Sequence, residues 1–174
     1  MARTSGPIAP RREPRNRRLD GPADHALGRS RGGFGTKLHL VTEGRGVPLG
    51  TVVTPGQAHE SKSFEALMDT VRIARRRRPD AVAGDRAYSY PRIRAWLRGR
   101  CIEAVIPTRS DQPRERLSRA KYRRRNVVER CIGWLTNRRR IAARCDKLAV
   151  HYLSFVTLAM IHRCMRPLDP SGRT

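Results

Sequence analysis

The chain has 174 residues and a hydrophobic content of 38%, enough for one domain with one ordinary core. Of 38 basic residues only Lys37, Lys62, Lys121 and Lys147 are lysine and the remaining 34 are arginine; against 15 acidic residues they leave a formal charge of +23. That surplus argues against an acidic-tail protein or a metabolic enzyme with a neutral exterior, and points to a polyanion partner, nucleic acid or an anionic membrane surface.

Residues 1–22 mix proline, arginine and glycine without hydrophobic periodicity and read as an irregular basic arm. The first ordered signal is 34–42 (FGTKLHLVT), with Phe34, Thr36, Leu38 and Leu40 on one face. The turn residues Glu43-Gly44-Arg45-Gly46 and a second β-rich run at 47–54 (VPLGTVVT) complete a β-hairpin. Ser61 or Ser63 caps a helix running to about residue 75, with Phe64, Leu67, Met68, Val71 and Ile73 mostly on one side. The four arginines that follow, 75–78, fit either a solvated helix end or a phosphate contact.

Residues 80–88 (DAVAGDRAY) form a short strand with a sharp polar end. A helix over 91–100 follows, with Pro91 in its first turn, then a strand over 101–107 (CIEAVIP). A basic loop leads to one long helix over 122–143 and a last apolar helix over 152–165. This alternation predicts an α/β fold, a mixed sheet flanked by helices. The apolar run in the last helix is too short for the roughly 20 residues of a membrane span. Cys101, Cys131, Cys145 and Cys164 have neither zinc-site nor disulfide-framework spacing and read as free thiols of a cytoplasmic chain.

Two carboxylates stand out. Asp85 falls at the carboxyl end of a strand, the edge where open α/β sheets place ligands. On the long helix, with Tyr122 at 0°, Arg125, Glu129 and Thr136 fall at about 300°, 340° and 320°, one narrow stripe beside the apolar arc. Arg125 and Glu129 are then either an i,i+4 ion pair worth ~0.2–0.5 kcal/mol, or Glu129 joins Asp85 to hold a divalent cation among phosphate-binding arginines. His39 and His59 read as packing or loop residues. Trp134 reads as core, and Trp96 as a half-buried helix anchor rather than a base-stacking platform.

GRSRGG at 28–33, TPGQAH at 54–59, GDRAY at 84–88, RRRNVVER at 123–130 and DKL at 146–148 together resemble the DDE transposases of bacterial insertion sequences over about residues 21–166. The resemblance implies a ribonuclease-H-like catalytic domain at 23–166 with a tail at 167–174. In that family two aspartates and a glutamate bind Mg²⁺, or Mn²⁺ in its place, to nick the element ends and join them to target DNA. Asp85 matches the second aspartate and Glu129 the glutamate, while Tyr122 and Arg125 complete the Tyr-x-x-Arg-x-x-x-Glu signature. The signature's later lysine is replaced by Thr136, with Arg138, Arg139 and Arg140 as nearby DNA-contacting substitutes.

The family's first aspartate, on an apolar strand upstream of 28–33, has no counterpart: Asp20 and Asp24 stand in no β-rich run. The resemblance therefore implies the carboxyl-terminal part of a transposase, lacking its first strand and needing an upstream-frame product or another source for the missing ligand. It also implies DNA partners, element ends and target, and a homo-oligomer that holds two ends. The competing class is a catalytically dead nucleic-acid-binding protein or transposase remnant.

Overall fold

The computed structural model describes residues 2–4, 25–30, 33–73 and 78–165. Its centre is a long antiparallel hairpin, β3 (Gly33–Thr42) with β4 (Pro48–Pro55), paired from Thr36↔Pro55 to Thr42↔Pro48. Gly46 turns the hairpin at φ +92°, and a Cβ there would come within 2.9 Å of the Val127 Cγ1 atom. Glycine is thus required by the backbone and by the helix packed against the turn. The Glu43 carboxylate closes the turn by accepting the Arg45 and Val47 N–H groups.

Two short strands join β3. β2 (Gly28–Ser30) pairs with its first residues. β1 (Ala2–Thr4) pairs antiparallel with His39–Val41, on the edge opposite β4. This small strand lies inside the stretch that the sequence assigns to an irregular arm. A separate parallel pair, β5 (Ala81–Ala83) and β6 (Glu103–Val105), is joined by the crossover helix α2 (Pro91–Arg98).

The hairpin's alternation divides the core in two. Leu38 and Leu40 pack with Val128, Cys131, Ile132, Leu135, Ile141, Tyr152 and Val156 from the carboxyl-terminal helices. Val41 points the other way, into Phe64, Leu67, Val82, Tyr88, Ile93 and Ile106. Period-2 patterning thus gives β3 a helical layer on one face and, on the other, the layer of the helix at Phe64–Asp69 with β5, α2 and β6.

Helix α1 (Phe64–Asp69), entered through a 3₁₀ turn at Glu60–Ser63, stops earlier than the predicted residue 75. Thr70 and Val71 turn their N–H groups back to Leu67 and Met68, and the Thr70 hydroxyl also donates to Leu67. The chain ends its helix where Gly50 of β4 lets Thr70 approach closely. Of the four-arginine run, 75–77 lie outside the described residues, and Arg78 donates to the Arg100 carbonyl at 3.0 Å.

The long helix expected over 122–143 is three helices: α3 (Arg119–Arg123), α4 (Asn126–Thr136) and α5 (Arg139–Ala142). At the first junction, Arg125, Val127 and Val128 donate to the carbonyls three residues back, a 3₁₀-type turn. At the second, Arg138 is extended (φ −84°, ψ 112°), which re-aims α5 and carries Ile141 into the core. The last helix, α6 (Ala149–Met165), covers this layer, and Tyr152 donates its hydroxyl to the Ile141 carbonyl at 3.1 Å. No helix among the described residues is long and apolar enough to cross a membrane.

Candidate active site

Asp85 is placed by the end of β5. Gly84 extends the ladder by donating to Val105, and Asp85 then leaves the strand with an extended backbone. Its Oδ1 accepts the Ala87 N–H at 2.9 Å and caps the 3₁₀ turn Arg86–Tyr88, whose Tyr88 is fully buried. A buried phenol anchors the turn on one side and a strand end on the other, so the carboxylate has little freedom.

Glu129 sits in the first turn of α4. Arg125 pairs with it at 2.6 Å, and the Arg125 guanidinium lies 5.5 Å from the centroid of the Tyr122 ring. Tyr122, Arg125 and Glu129 therefore share one side even though the helix breaks between them. Thr136, at the end of α4, donates its hydroxyl to Ile132 and Gly133 of its own helix. It contributes a self-satisfied hydroxyl where the signature has a cation.

The three following arginines diverge. Arg138 stacks on Trp134 at 4.5 Å and bonds the His162 Nδ1 atom at 3.1 Å. Arg140 lies 3.6 Å over the Phe155 ring and grips Asp146 at 3.1 Å. Both line a groove between α5 and α6 with Leu158 and His162. Arg139 begins α5 and is exposed.

Among the described residues no group of three or more His, Cys, Asp or Glu side chains is gathered for a metal ion. Asp20 and Asp24 lie outside those residues. His39 is fully buried between Thr54 (2.8 Å from Nε2) and Ser63 (3.2 Å from Nδ1), and burial, with the Lys37 charge, lowers it to about 4. It is a packing residue. Trp96 is half-buried against Phe64, with the Arg100 guanidinium 3.8 Å over its ring.

Two features escape sequence reasoning. The first is an open cleft of about 540 Å³ beside Asp85, lined by Arg86, Ala87, Arg109, Ser110 and Asp111. The second is Arg144, only 2% exposed, which donates to the carbonyls of His25, Ala26, Asp146 and Lys147 and to the Thr36 hydroxyl. Its burial lowers its basicity, although electrostatic interaction with the Tyr152 hydroxyl group and Asp146 opposes that. One buried guanidinium thus binds the GRSRGG end of the chain, β3 and the DKL segment together.

The glycines of the early motifs interlock as well. A Cβ on Gly56 would lie 2.8 Å from the Gly28 carbonyl oxygen, and one on Gly28 would collide with Gln57. Lys37 pins the same loop, donating to Ala58 at 2.9 Å and pairing with Glu60 at 3.4 Å.

Comparison with known proteins agrees with this architecture. Residues 14–164 match the family model described as the transposase DDE domain. A Burkholderia cepacia protein named as a transposase for insertion sequence element IS402 is 31% identical over 140 residues, 77% of this chain and 64% of the relative. A Brucella ovis protein named for element IS6501 is 31% identical over 128 residues, 71% of this chain and 93% of the relative. The chain thus spans just under two thirds of the first relative's length and nearly all of the second's. No solved structure matches it. With a family model covering most of its length, mixed α/β layers and two curated insertion-sequence relatives, the chain belongs to the DDE transposase domain family.

Proposed function

We propose that this domain binds DNA and performs metal-dependent phosphodiester cleavage and joining, with Asp85 and Glu129 as metal ligands. The observation that carries this reading is the Tyr122–Arg125–Glu129 stripe, a carboxylate presented with a guanidinium and a phenol instead of among surface charges. Asp85, at a strand's carboxyl end, supplies the second carboxylate.

The donor set fits a hard divalent cation. Asp85 and Glu129 offer only oxygen, and Mg²⁺ is commonly held by one or two carboxylates while water and substrate phosphate complete its shell. When bound, the ion would polarise the phosphodiester and make a coordinated water or hydroxyl a better nucleophile. The chain's own part is positioning. The Ala87 N–H holds the Asp85 carboxylate, and Arg125, now on Glu129, would be released to a phosphate oxygen once a cation takes its place. Tyr122, Arg138, Arg139 and Arg140 are DNA contacts in this reading. Self-association would bring two element ends together.

The test is nicking of a terminal-repeat oligonucleotide by the purified chain with and without Mg²⁺. Cleavage that requires the metal and disappears in Asp85→Ala and Glu129→Gln supports the reading. Loss in Asp20→Ala or Asp24→Ala would identify the third ligand. Salt-sensitive DNA binding with no metal-dependent cleavage would instead favour a non-catalytic DNA-binding domain.

A further inference from the structure

Three loops that are distant in sequence meet at the carboxyl end of the β5–β6 pair. His59, after the hairpin, places Nε2 3.0 Å from the Tyr90 hydroxyl, with the two rings edge to face at 5.3 Å. Arg109, after β6, donates Nη1 to the same hydroxyl at 3.2 Å, its guanidinium 5.6 Å from the ring centroid. The Ser61 N–H donates to His59 Nδ1 at 3.3 Å, so the neutral ring carries its proton on Nε2 and donates it to Tyr90. The phenol oxygen therefore receives two donors and fixes the direction of Arg109.

The loop carrying Arg109 is itself built in. Gln112 exchanges two hydrogen bonds of 2.9 Å with Ser89, accepting from its hydroxyl and donating to its carbonyl. Arg94, 6% exposed, clamps Glu115 at 2.8 Å and the Ile106 carbonyl at 2.9 Å. On this support stands the open cleft of Arg86, Ala87, Arg109, Ser110 and Asp111. Ala87 is also the residue whose N–H holds Asp85. Two arginines and one carboxylate line the cleft; Asp111 is 62% exposed and pairs with Arg109 Nε at 3.2 Å.

We propose that this cleft is a backbone-phosphate subsite in which Arg109 and Arg86 hold a phosphodiester of the DNA strand beside Asp85. The planar guanidinium fork matches phosphate oxygens, and an open cleft that carries two arginines suits a passing strand better than an enclosed small molecule. Tyr90 and His59 act through Arg109, as positioning residues. The inference rests on the DNA-cleaving reading above and adds which side chains hold the strand on the Asp85 side.

The experiment uses the full chain, a labelled duplex oligonucleotide and EDTA, so that binding is read without cleavage. In wild type, DNA should shield Arg109 from phenylglyoxal, measured by mass spectrometry. Arg109→Gln should bind about five- to tenfold more weakly and lower the slope of log affinity against log salt by about one phosphate contact. Arg98→Gln, exposed at the far end of α2, should leave both unchanged. Tyr90→Phe should keep the melting temperature but reduce the shielding of Arg109. Wild-type binding with an unchanged slope in Arg109→Gln, or with Arg109 labelled equally fast with and without DNA, overturns the subsite and leaves the cleavage reading standing. Absence of salt-dependent binding in wild type overturns both.

Discussion

Arg125 holds Glu129 at 2.6 Å across one helical turn while its guanidinium lies over Tyr122. The pair is partly buried, 19% and 31% exposed, and under the proposed function a cation would compete with Arg125 for the same carboxylate. As a structural element it is modest: an i,i+4 pair of this exposure contributes at most about 1 kcal/mol. Under the proposed function Arg125 would exchange partners, from Glu129 to phosphate. Arg125→Gln is therefore expected to lower the melting temperature by no more than about 4 °C, while weakening DNA binding and reducing Mg²⁺-dependent nicking at least tenfold. Calorimetry and a nicking assay on the same preparation separate the two. A large stability loss with proportionate activity loss would reduce the pair to a structural clasp.

The opposite balance is expected at Arg144. Its donors satisfy four carbonyls and a buried hydroxyl, and it ties residues more than 100 positions apart. Arg144→Met removes these five hydrogen bonds, with the Ala26 carbonyl keeping the Thr36 hydroxyl as donor, and should cost about 3–5 kcal/mol in urea unfolding. Arg144→Lys should recover little, because an ammonium cannot reproduce the planar fork. Full recovery by lysine would mean that charge, and not geometry, holds the junction.

The hairpin, the β5–α2–β6 unit and the inward face of α4 were legible because each rests on local pattern: alternation, a glycine turn, a 3.6-residue period. The breaks in the long helix were not. Neither junction, 124–125 or 137–138, contains glycine or proline, and the second exists because Ile141 must reach the core. Composition also could not single out Arg144: nothing local marks it among the 34 arginines, and what distinguishes it is the set of distant carbonyls it meets in the core. The His59–Tyr90–Arg109 chain joins residues separated by 31 and 19 positions, which no local spacing reveals. Strand-end position and helix arithmetic single out Asp85 and Glu129 as candidates, and their motifs are carried by the resemblance.

Cys101 offers a stabilising substitution. It has φ +54°, directly after α2, and two bonds close the helix end: Ile102 N–H to Leu97 and Cys101 N–H to Arg98. This is the Schellman pattern, with Cys101 at the left-handed position that glycine occupies without strain. Cys101→Gly should raise stability by about 0.5–1 kcal/mol, since relief of strain outweighs the extra freedom of the unfolded chain. It also removes an exposed thiol. A lower denaturation midpoint in this variant would contradict the assignment.

His39 gives the fold a pH dependence whose sign can be worked out. Burial holds the folded imidazole at about 4, against 6.5 for an ordinary histidine. As pH falls below 6.5 the unfolded chain takes up a proton that the folded protein refuses until about 4. The unfolded state therefore binds more protons in that window, and stability, full above 6.5, declines as pH falls through it. The slope is at most ~1.4 kcal/mol per pH unit, so His39 alone should remove about 2 kcal/mol between pH 7 and pH 5. Urea unfolding at the two pH values measures the loss, and His39→Gln should diminish it. In parallel, the His39 ring-proton resonance should stay flat from pH 8 to pH 5. A midpoint near 6.5 for that resonance would show that Thr54 and Ser63 do not enclose the ring as tightly as 2.8 and 3.2 Å imply.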